Sequence, residues 1–486
     1  MKNLITSQKL YVIEKDLSFD IVLLTKTHFI IGAQVMQDII TIKVLSALSE
    51  NGFSLDELVF QTRELFEKKG LAGFVGLILR LTDEMVCRKM VQGKSIHNQP
   101  GCCSEARYEY QGSLSRQFRT SVGIVIIQWR RLRCCNCGRT NIPLRDFLGI
   151  DRYQSKTSEL EKMVTEIVSE QTYRRSSDHL STIGSIPVPK STAHRWVAQS
   201  DCDQMDESDE TFNLLFADGT GYKRRPDKEA KLNNRGELRV ALGVDKNGSI
   251  VPLGAFSGKS WDEIAAVVQG DREDGKLVAD MLVSDGERGI AESFAKLCNS
   301  HQRCHWHSVN DLNYTMWQDK AEKDERKQIQ KKLTAIIGIE LPEEDFEKVE
   351  DSDKRALEQA VASAECDVRK LIKKLLDKGY EMAADYLIRA SKNMFSYVRR
   401  WLLTGIVGPR ASSMIERMMR ELARRLKRMA FGWSEEGAAK MARIIIKRFT
   451  SAGQWEKYWK KKLRIKGDVV LVLKSITATD LQPLGR

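Results

Sequence analysis

The sequence predicts an α/β protein assembled from several parts. Three observations carry that expectation. Residues 211–310 alternate short apolar strand patterns with helical ones. The stretch before them is β-rich and holds a cysteine cluster, whereas the stretch after them is helical and heavily charged. The 486 residues exceed one ordinary domain, and 42% hydrophobic residues with only 9 prolines give ample core material.

Residues 1–90 read as a mostly helical N-terminal region. Leu55, Leu58, Val59 and Leu65 recur at helical spacing behind Ser54, a favourable N-cap. Residues 91–150 read as a zinc-ribbon-like module. A β-rich run, Phe118–Val122–Ile124–Ile126–Trp129, lies between the pair Cys102, Cys103 and the cluster Cys134, Cys135, Cys137. Cys134-x-x-Cys137 has knuckle spacing, and thiolates on two tight turns can close a tetrahedron around Zn²⁺. The first pair lacks that spacing, which leaves His97 or Cys87 as a substitute ligand. Ordinary buried cysteines are the plainer alternative.

Residues 151–200 read as a helix-turn-helix. Leu160, Met163, Val164, Ile167 and Val168 mark one amphipathic helix, and Tyr173–Leu180 a short second one. Lys190–Val197 is the third, capped by Ser191 or Thr192, with His194 and Arg195 presented outward. A three-helix spacer is the alternative. Six acids within Asp201–Glu210 mark a domain boundary.

Residues 210–310 carry the α/β pattern. Phe212, Leu215 and Phe216 form a buried strand leading to Asp218. Glu237–Val244 and Ser249–Phe256 flank Lys246-Asn247-Gly248, a strong hairpin signal. Val278–Val283 leads directly to Asp285, Glu287–Leu297 reads as a helix, and Arg303–Trp306 as a short strand. Three strands, a helix, a strand and a helix, with an aspartate closing the first strand, is the pattern of an RNase H-like core. Residues 311–403 read as an all-helical insertion, and 404–450 as the second part of that core. Residues 451–486 read as a basic C-terminal tail.

The net charge of +12 is unevenly placed. Residues 401–486 hold 19 Lys+Arg against 7 Asp+Glu, the whole of the excess. Residues 201–350 are acidic, with 21 basic against 31 acidic residues. Such a balance points to a polyanion partner rather than an acidic solvating protein. No apolar run reaches the ~20 residues needed to cross a bilayer, so no membrane partner is expected. The 10 cysteines are too few for a disulfide scaffold, and five of them fall within 102–137, which suggests a metal site in a reducing cytosol. The chain has no glycine-rich nucleotide loop, Walker-type motif or Ser/His triad setting, which makes a metabolic enzyme the least expected class.

Three acids stand out by context. Asp218 and Asp285 each close an apolar strand and each precede a glycine. Adjacent strands lie ~4.8 Å apart, so carboxylates at neighbouring strand ends can share divalent cations. Glu416 lies on a helix that begins near Ser412. Ile415, Met418, Met419, Leu422, Leu426 and Met429 gather on one face of that helix, with Glu416, Arg420, Arg424 and Lys427 opposite. A carboxylate followed by basic residues could complete a metal site and then track a phosphate backbone. An exposed face with Glu416 paired to Arg420 is the alternative. Cys304-His305-Trp306-His307 is by itself weak metal-ligand evidence.

Taken in order, these motifs resemble the mutator-like (MULE-type) transposases of prokaryotic insertion sequences. The resemblance rests on Ala-Asp218-Gly-Thr, Ser-Asp285-Gly, Arg-Cys304-His-Trp-His307, Ser-Met-Ile-Glu416, Phe-Gly-Trp-Ser-Glu-Glu-Gly-Ala438 and Trp455-Glu-Lys-Tyr-Trp459. It covers roughly residues 100–460, and helical insertions of this family fall between the second acid and the third. The resemblance implies a DDE triad of Asp218, Asp285 and Glu416 with two Mg²⁺ (or Mn²⁺) ions per active site. It implies 3′-end cleavage at the element's terminal inverted repeats and strand transfer into double-stranded target DNA. Cys304 and His307 carry over as the family's C-x-x-H pair, structural or DNA-proximal in role, while His305 leaves open which histidine does that work. Cys102, Cys103, Cys134 and Cys137 would hold Zn²⁺. Lys190, His194, Arg195, Arg420, Arg424, Lys427 and Arg428 would contact DNA. A homodimer or higher oligomer on DNA and a cytoplasmic, nucleoid-associated location follow by the same resemblance. The alternatives are a non-catalytic DNA-binding protein derived from a transposase, and an RNase H-like nuclease without strand transfer.

Overall fold

A computed structural model describes residues 54–464 apart from 57–58, 61–62, 64–65, 67–69, 97–101, 104–105, 185, 206–209, 227–233, 273–275 and 429–430, and three earlier strands by their backbone. Those strands, β1 (Gln8–Lys15), β2 (Ser18–Thr25) and β3 (Ile39–Val44), form an antiparallel sheet in the order β1-β2-β3. This corrects the helical expectation for the first half of residues 1–90. Val12, Ile13, Ile21, Val22, Ile39, Ile40 and Ile42 are β-branched, and such side chains favour pleated backbone. Leu55 and Val59 are helical, while Leu58 and Leu65 lie outside the described residues.

The chain divides into two compact units. The first comprises Met1–Thr157, Ser181–Pro187 and Leu463–Arg486. Its centre is a long hairpin of β4 (Tyr108–Thr120) and β5 (Gly123–Cys134), edged by β6 (Thr140–Asn141). Along β5 buried Val125, Ile127 and Trp129 alternate with exposed neighbours, the period of a strand with one face covered. That face packs on α1 (Leu71–Val91) and α2 (Pro143–Phe147), with Phe118 and Leu144 in the same core.

The second unit comprises Ser158–Leu180 and Val188–Lys462. It begins with α3 (Ser158–Glu170), α4 (Tyr173–Thr182) and α5 (Lys190–Gln199). Pro189 precedes α5 with no side-chain cap, so the expected capping by Ser191 or Thr192 is corrected: Pro189 has φ −58°, which starts the helix directly and leaves both hydroxyls inside its first turn. The acidic segment expected as a boundary lies within this unit. Asp203 is buried and bonded to Arg443 at 2.7 Å, with Lys440 at 3.4 Å, and Asp201 accepts from Tyr458. Asp203 is drawn inward by cations on a later helix, whereas Asp201 stays exposed.

A mixed five-stranded sheet follows, in the order β11-β10-β7-β8-β9. β7 (Phe212–Lys223), β8 (Arg235–Val244) and β9 (Ile250–Ser257) are antiparallel neighbours, and β10 (Ala279–Ser284) runs parallel to both β7 and β11 (Cys298–Arg303). The β8–β9 turn forms where the sequence places it: Asp245 Oδ1 accepts from the N–H groups of Asn247 and Ser249 at 2.8 Å, and Gly248 takes φ +80°. α6 (Trp261–Gln269) starts in a capping box of Ser260 and Glu263, and α7 (Arg288–Phe294) packs beside it. The strand expected over Arg303–Trp306 is corrected. β11 ends at Arg303, Cys304 is the N-cap, and His305 and Trp306 open α8 (His305–Gln318). The polar run Cys298-Asn-Ser-His-Gln-Arg303 has no apolar alternation to mark it as β11.

Next come α9 (Lys323–Ile337), α10 (Asp351–Asp377), α11 (Glu381–Ser391) and α12 (Ser396–Thr404), which share one hydrophobic core with α8 through Leu312, Leu333, Leu371 and Leu387. Gly405, at φ +70°, ends α12. α13 (Ser413–Leu426) crosses β7, and α14 (Glu435–Thr450) covers β9. The expected basic tail starts as a helix, α15 (Ala452–Leu463), anchored by buried Trp455 and Trp459, with the Trp455 indole donating to Glu166 at 2.9 Å. Residues 465–486 lie outside the described residues. Among the described residues no helix is long and apolar enough to cross a membrane.

Candidate active site and cysteine cluster

The two aspartates are set by register. Phe216 of β7 pairs with Val283 of β10, and Asp218 and Asp285 each lie two residues further on. The expectation that Asp218 closes its strand is corrected: β7 runs on to Lys223 along β8, and Asp218 lies where the shorter β10 stops, next to Asp285, so the period of 2 puts both carboxylates on one face. Glu416 arrives on the first turn of α13, which packs on β7. Ser412 fixes it. Its hydroxyl donates to Glu416 Oε1 at 3.0 Å, its N–H meets Cys304 Sγ at 3.3 Å, and His307 Nδ1 lies 3.9 Å from the same carboxylate oxygen. Glu416 is therefore held from its N-terminal side and forms no pair with Arg420 among the described residues.

The electrostatics match the geometry. Burial, with the charge of Asp285 added, pushes the Asp218 carboxyl up to about 7; Glu416 acts in the same direction, and the Gly219 N–H at 2.7 Å and His307 oppose it. Burial also raises Asp311 and Glu287, each with Asp285 contributing. Asp285 and Glu416 thus act on Asp218 through their charge, and a cation among the three would remove that penalty. The donors of the three central acids are all oxygen, which fits a hard divalent ion such as Mg²⁺ or Mn²⁺.

Cys304 and His307 form a second small group with Glu416, their ligand atoms within 4.8 Å of one another. Burial opposes the Cys304 thiolate, but bonds with His307 and Ser412 outweigh it and bring the thiol down. His305 points elsewhere: its Nε2 meets the Met394 carbonyl at 2.8 Å and its ring stands edge-on to Tyr397. Of the two histidines, only His307 reaches the acids.

Arg303, Tyr386, His301 and Asn393 border this site, and no motif marks them in the sequence. A Cβ at Gly286 (φ +84°) would lie 1.1 Å from Arg303 Nη1, so the glycine after Asp285 serves the close approach of a guanidinium. Arg303 in turn bonds the Tyr386 hydroxyl at 2.9 Å and lies 3.7 Å from Asp311. His301 joins Ser284 Oγ at 2.9 Å to Asn393 at 3.1 Å, and burial takes its pKa down to about 4, leaving it neutral.

The expected basic residues divide. Lys190, His194, Arg195, Arg420, Lys427 and Arg428 are exposed. Arg424 is exposed but bridged to Glu170 and, at 3.1 Å, to Glu421. Arg425 is buried at 1% exposure, against the polarity of its type.

In the first unit the two cysteine pairs meet at the open ends of the β4–β5 hairpin. Sγ of Cys102 lies 3.3 Å from that of Cys137, and Cys103 lies 3.5 Å from Cys134, with all four sulfurs within 4.8 Å. The turn is knuckle-like: Gly138 (φ +73°) donates to the Cys134 carbonyl at 2.9 Å. Backbone N–H groups of Cys137 and Asn136 help to lower Cys134 to about 6, and that of Arg139 leads in lowering Cys137. Four sulfurs with two predisposed to the thiolate can hold a metal ion such as zinc. Cys135 is outside the quartet, Cys87 is buried against Asp83 instead, and His97 lies outside the described residues. No protein-family model matches this sequence, and no curated protein matches it.

Proposed function

We propose that the chain is the DNA transposase of an insertion sequence, with an RNase H-like catalytic core, a zinc-ribbon-like module and a helix-turn-helix. One observation supports this most: Asp218 and Asp285 leave adjacent parallel strands at equivalent register, and Glu416 joins them from the helix crossing β7. The sheet order, with three antiparallel strands continued by two parallel ones, supports the same reading.

Asp218, Asp285 and Glu416 would hold two Mg²⁺ or Mn²⁺ ions, which supply charge stabilisation for in-line phosphoryl transfer when bound. The chain's own residues prepare the acids. The Gly219 N–H orients Asp218, Ser412 orients Glu416, and Arg303 braces the Asp285-Gly286 turn. Lys190, Arg195, Arg420, Lys427 and Arg428 would contact phosphates, so that DNA runs past the acids. Double-stranded DNA, first the terminal inverted repeats and then the target, is the partner, engaged by a dimer or higher oligomer in the cytoplasm. Zn²⁺ on Cys102, Cys103, Cys134 and Cys137 would fix the hairpin ends.

The test is cleavage and joining of DNA carrying the sequences that flank the coding region, with Mg²⁺. Asp218→Asn, Asp285→Asn and Glu416→Gln should each lose at least ~100-fold of both steps. Full activity in any of them contradicts the triad. Cutting without joined product would leave a nuclease, and metal-independent binding without cutting a DNA-binding protein.

A further inference from the structure

The second unit holds a cavity made of different residues from the acid cluster. It measures about 190 Å³, and its lining includes Tyr173, His194, Phe431, Trp433, Arg225 and Lys440. Four of these carry aromatic rings. Phe431 and Trp433 have centroids 5.3 Å apart, and His194 stands edge-on to Tyr173 at 5.1 Å. The volume is below the ~300–1,000 Å³ of pockets for drug-sized ligands, which limits a guest to one ring system.

The lining carries two cations, Arg225 and Lys440, and one acid, Glu436, and Lys440 also lies 3.4 Å from Asp203; a third cation, Arg425, sits behind the aromatic wall. The Arg425 guanidinium lies 4.7 Å from the Trp433 ring centroid and 5.9 Å from that of Tyr173. Its Nε donates to the Val168 carbonyl at 2.9 Å, but its Nη1 and Nη2 are buried and meet no acceptor among the described residues. The Trp433 indole N–H is buried and unpartnered in the same way. The nearby carboxylate of Glu170 is taken by Arg424 and Arg448. A buried cation and an idle N–H are costly as they stand, and both are donors only. Of the two, only the Trp433 N–H belongs to the lining, where it favours a guest with ring acceptors, while the aromatic faces favour a flat ring and Arg225 an adjoining anion.

We propose that this cavity receives one unstacked nucleobase of a DNA strand, stacked on the aromatic wall with its neighbouring phosphate toward Arg225. The inference rests on the DNA-binding reading and deepens it. His194, which lines the cavity, also lies on α5, the helix assigned to DNA there, so a strand at α5 passes the opening. Base stacking on aromatic side chains is sequence-tolerant and worth a measurable share of affinity.

The experiment uses the full chain and a hairpin DNA with a single-stranded tail carrying 5-iodo-2′-deoxyuridine at successive positions. Photocrosslinks should map to Phe431, Trp433 or Tyr173. Phe431 is only half-buried, so Phe431→Ala should fold, and it should weaken tail binding about 10-fold. An abasic nucleotide at the crosslinked position should weaken the wild type equally and the variant little further. His194→Ala, on an exposed residue, gives the same reading should Phe431→Ala melt early. Crosslinks confined to other surfaces, or variants that bind every DNA as the wild type does, overturn the inference while the function stands. Displacement of the tail by equimolar dAMP overturns it in favour of a free nucleotide. Absence of any DNA binding overturns both.

Discussion

Gly286 shows what a residue type can and cannot announce. An Asp-Gly pair after an apolar strand is readable as a strand end where backbone must turn sharply. The reason for the glycine is not readable, because Arg303 sits 17 residues later and reaches it only through the pairing of β10 with β11. Gly286 has a positive φ and a guanidinium in its Cβ position, whereas at Gly219 the nearest contact of a Cβ would be the flexible Glu237 carboxylate at 3.1 Å. Gly286→Ala should therefore cost about 1–3 kcal/mol or more and Gly219→Ala clearly less, measured by denaturant unfolding. Equal costs would remove the bracing role from Arg303. Asp285 and Glu416 were legible one by one, as an acid after a strand and an acid on a helix, whereas Asp218 lies inside β7 and not at its end. Their convergence was not legible, since it depends on register and on Ser412, whose hydroxyl bonds forward to Glu416 instead of capping its helix.

At the scale of elements, periodicity served where one face is covered. β5 alternates from Gly123 to Trp129 before the pattern shifts at Arg130 and Arg131, and α13 buries Ile415, Met418, Met419, Leu422 and Leu426 as its spacing predicts, with Met429 outside the described residues. It failed where polarity masks the element, as in β11, and where β-branched runs were read as helix, as in β1–β3. The cysteine module lies between these cases. Cys134-x-x-Cys137 was readable, but the match to Cys102 and Cys103 needs the hairpin that brings residue 108 opposite 134. Elemental analysis should find one zinc per chain. Cys137→Ser should lose it and lower the melting temperature by at least about 4 °C, while Cys135→Ser should change neither. Retained zinc in Cys137→Ser, or loss in Cys135→Ser, would contradict the quartet.

At the scale of the molecule, the net charge of +12 pointed to a polyanion, and its concentration after residue 401 pointed to α13 and beyond. Composition could not say how much of that charge is already used. Arg424 and Arg448 bridge Glu170, Arg443 bridges Asp203, and Lys462 lies 3.2 Å from Glu161. These pairs fasten the last helices to α3 and to the acidic segment, which is why the second unit includes α3 together with the mixed sheet. Arg420 and Lys427 are exposed and form no ion pair among the described residues, and in the proposed function they contact DNA. Arg420→Ala and Lys427→Ala should each reduce the slope of log affinity against log salt by about 1, and Arg424→Ala by less. Equal effects at all three positions would mean that the Glu170 bridge opens on DNA.

The central claim is that Asp218, Asp285 and Glu416 make one divalent-cation site. Mn²⁺ titration of the purified chain, read by electron paramagnetic resonance, tests it most directly. The account predicts saturable Mn²⁺ binding that weakens at least ~10-fold in Asp218→Asn, Asp285→Asn and Glu416→Gln alike. It also predicts that Cys137→Ser leaves this binding unchanged. Mn²⁺ binding that survives in any of the three acid variants, or that vanishes with Cys137, would contradict it.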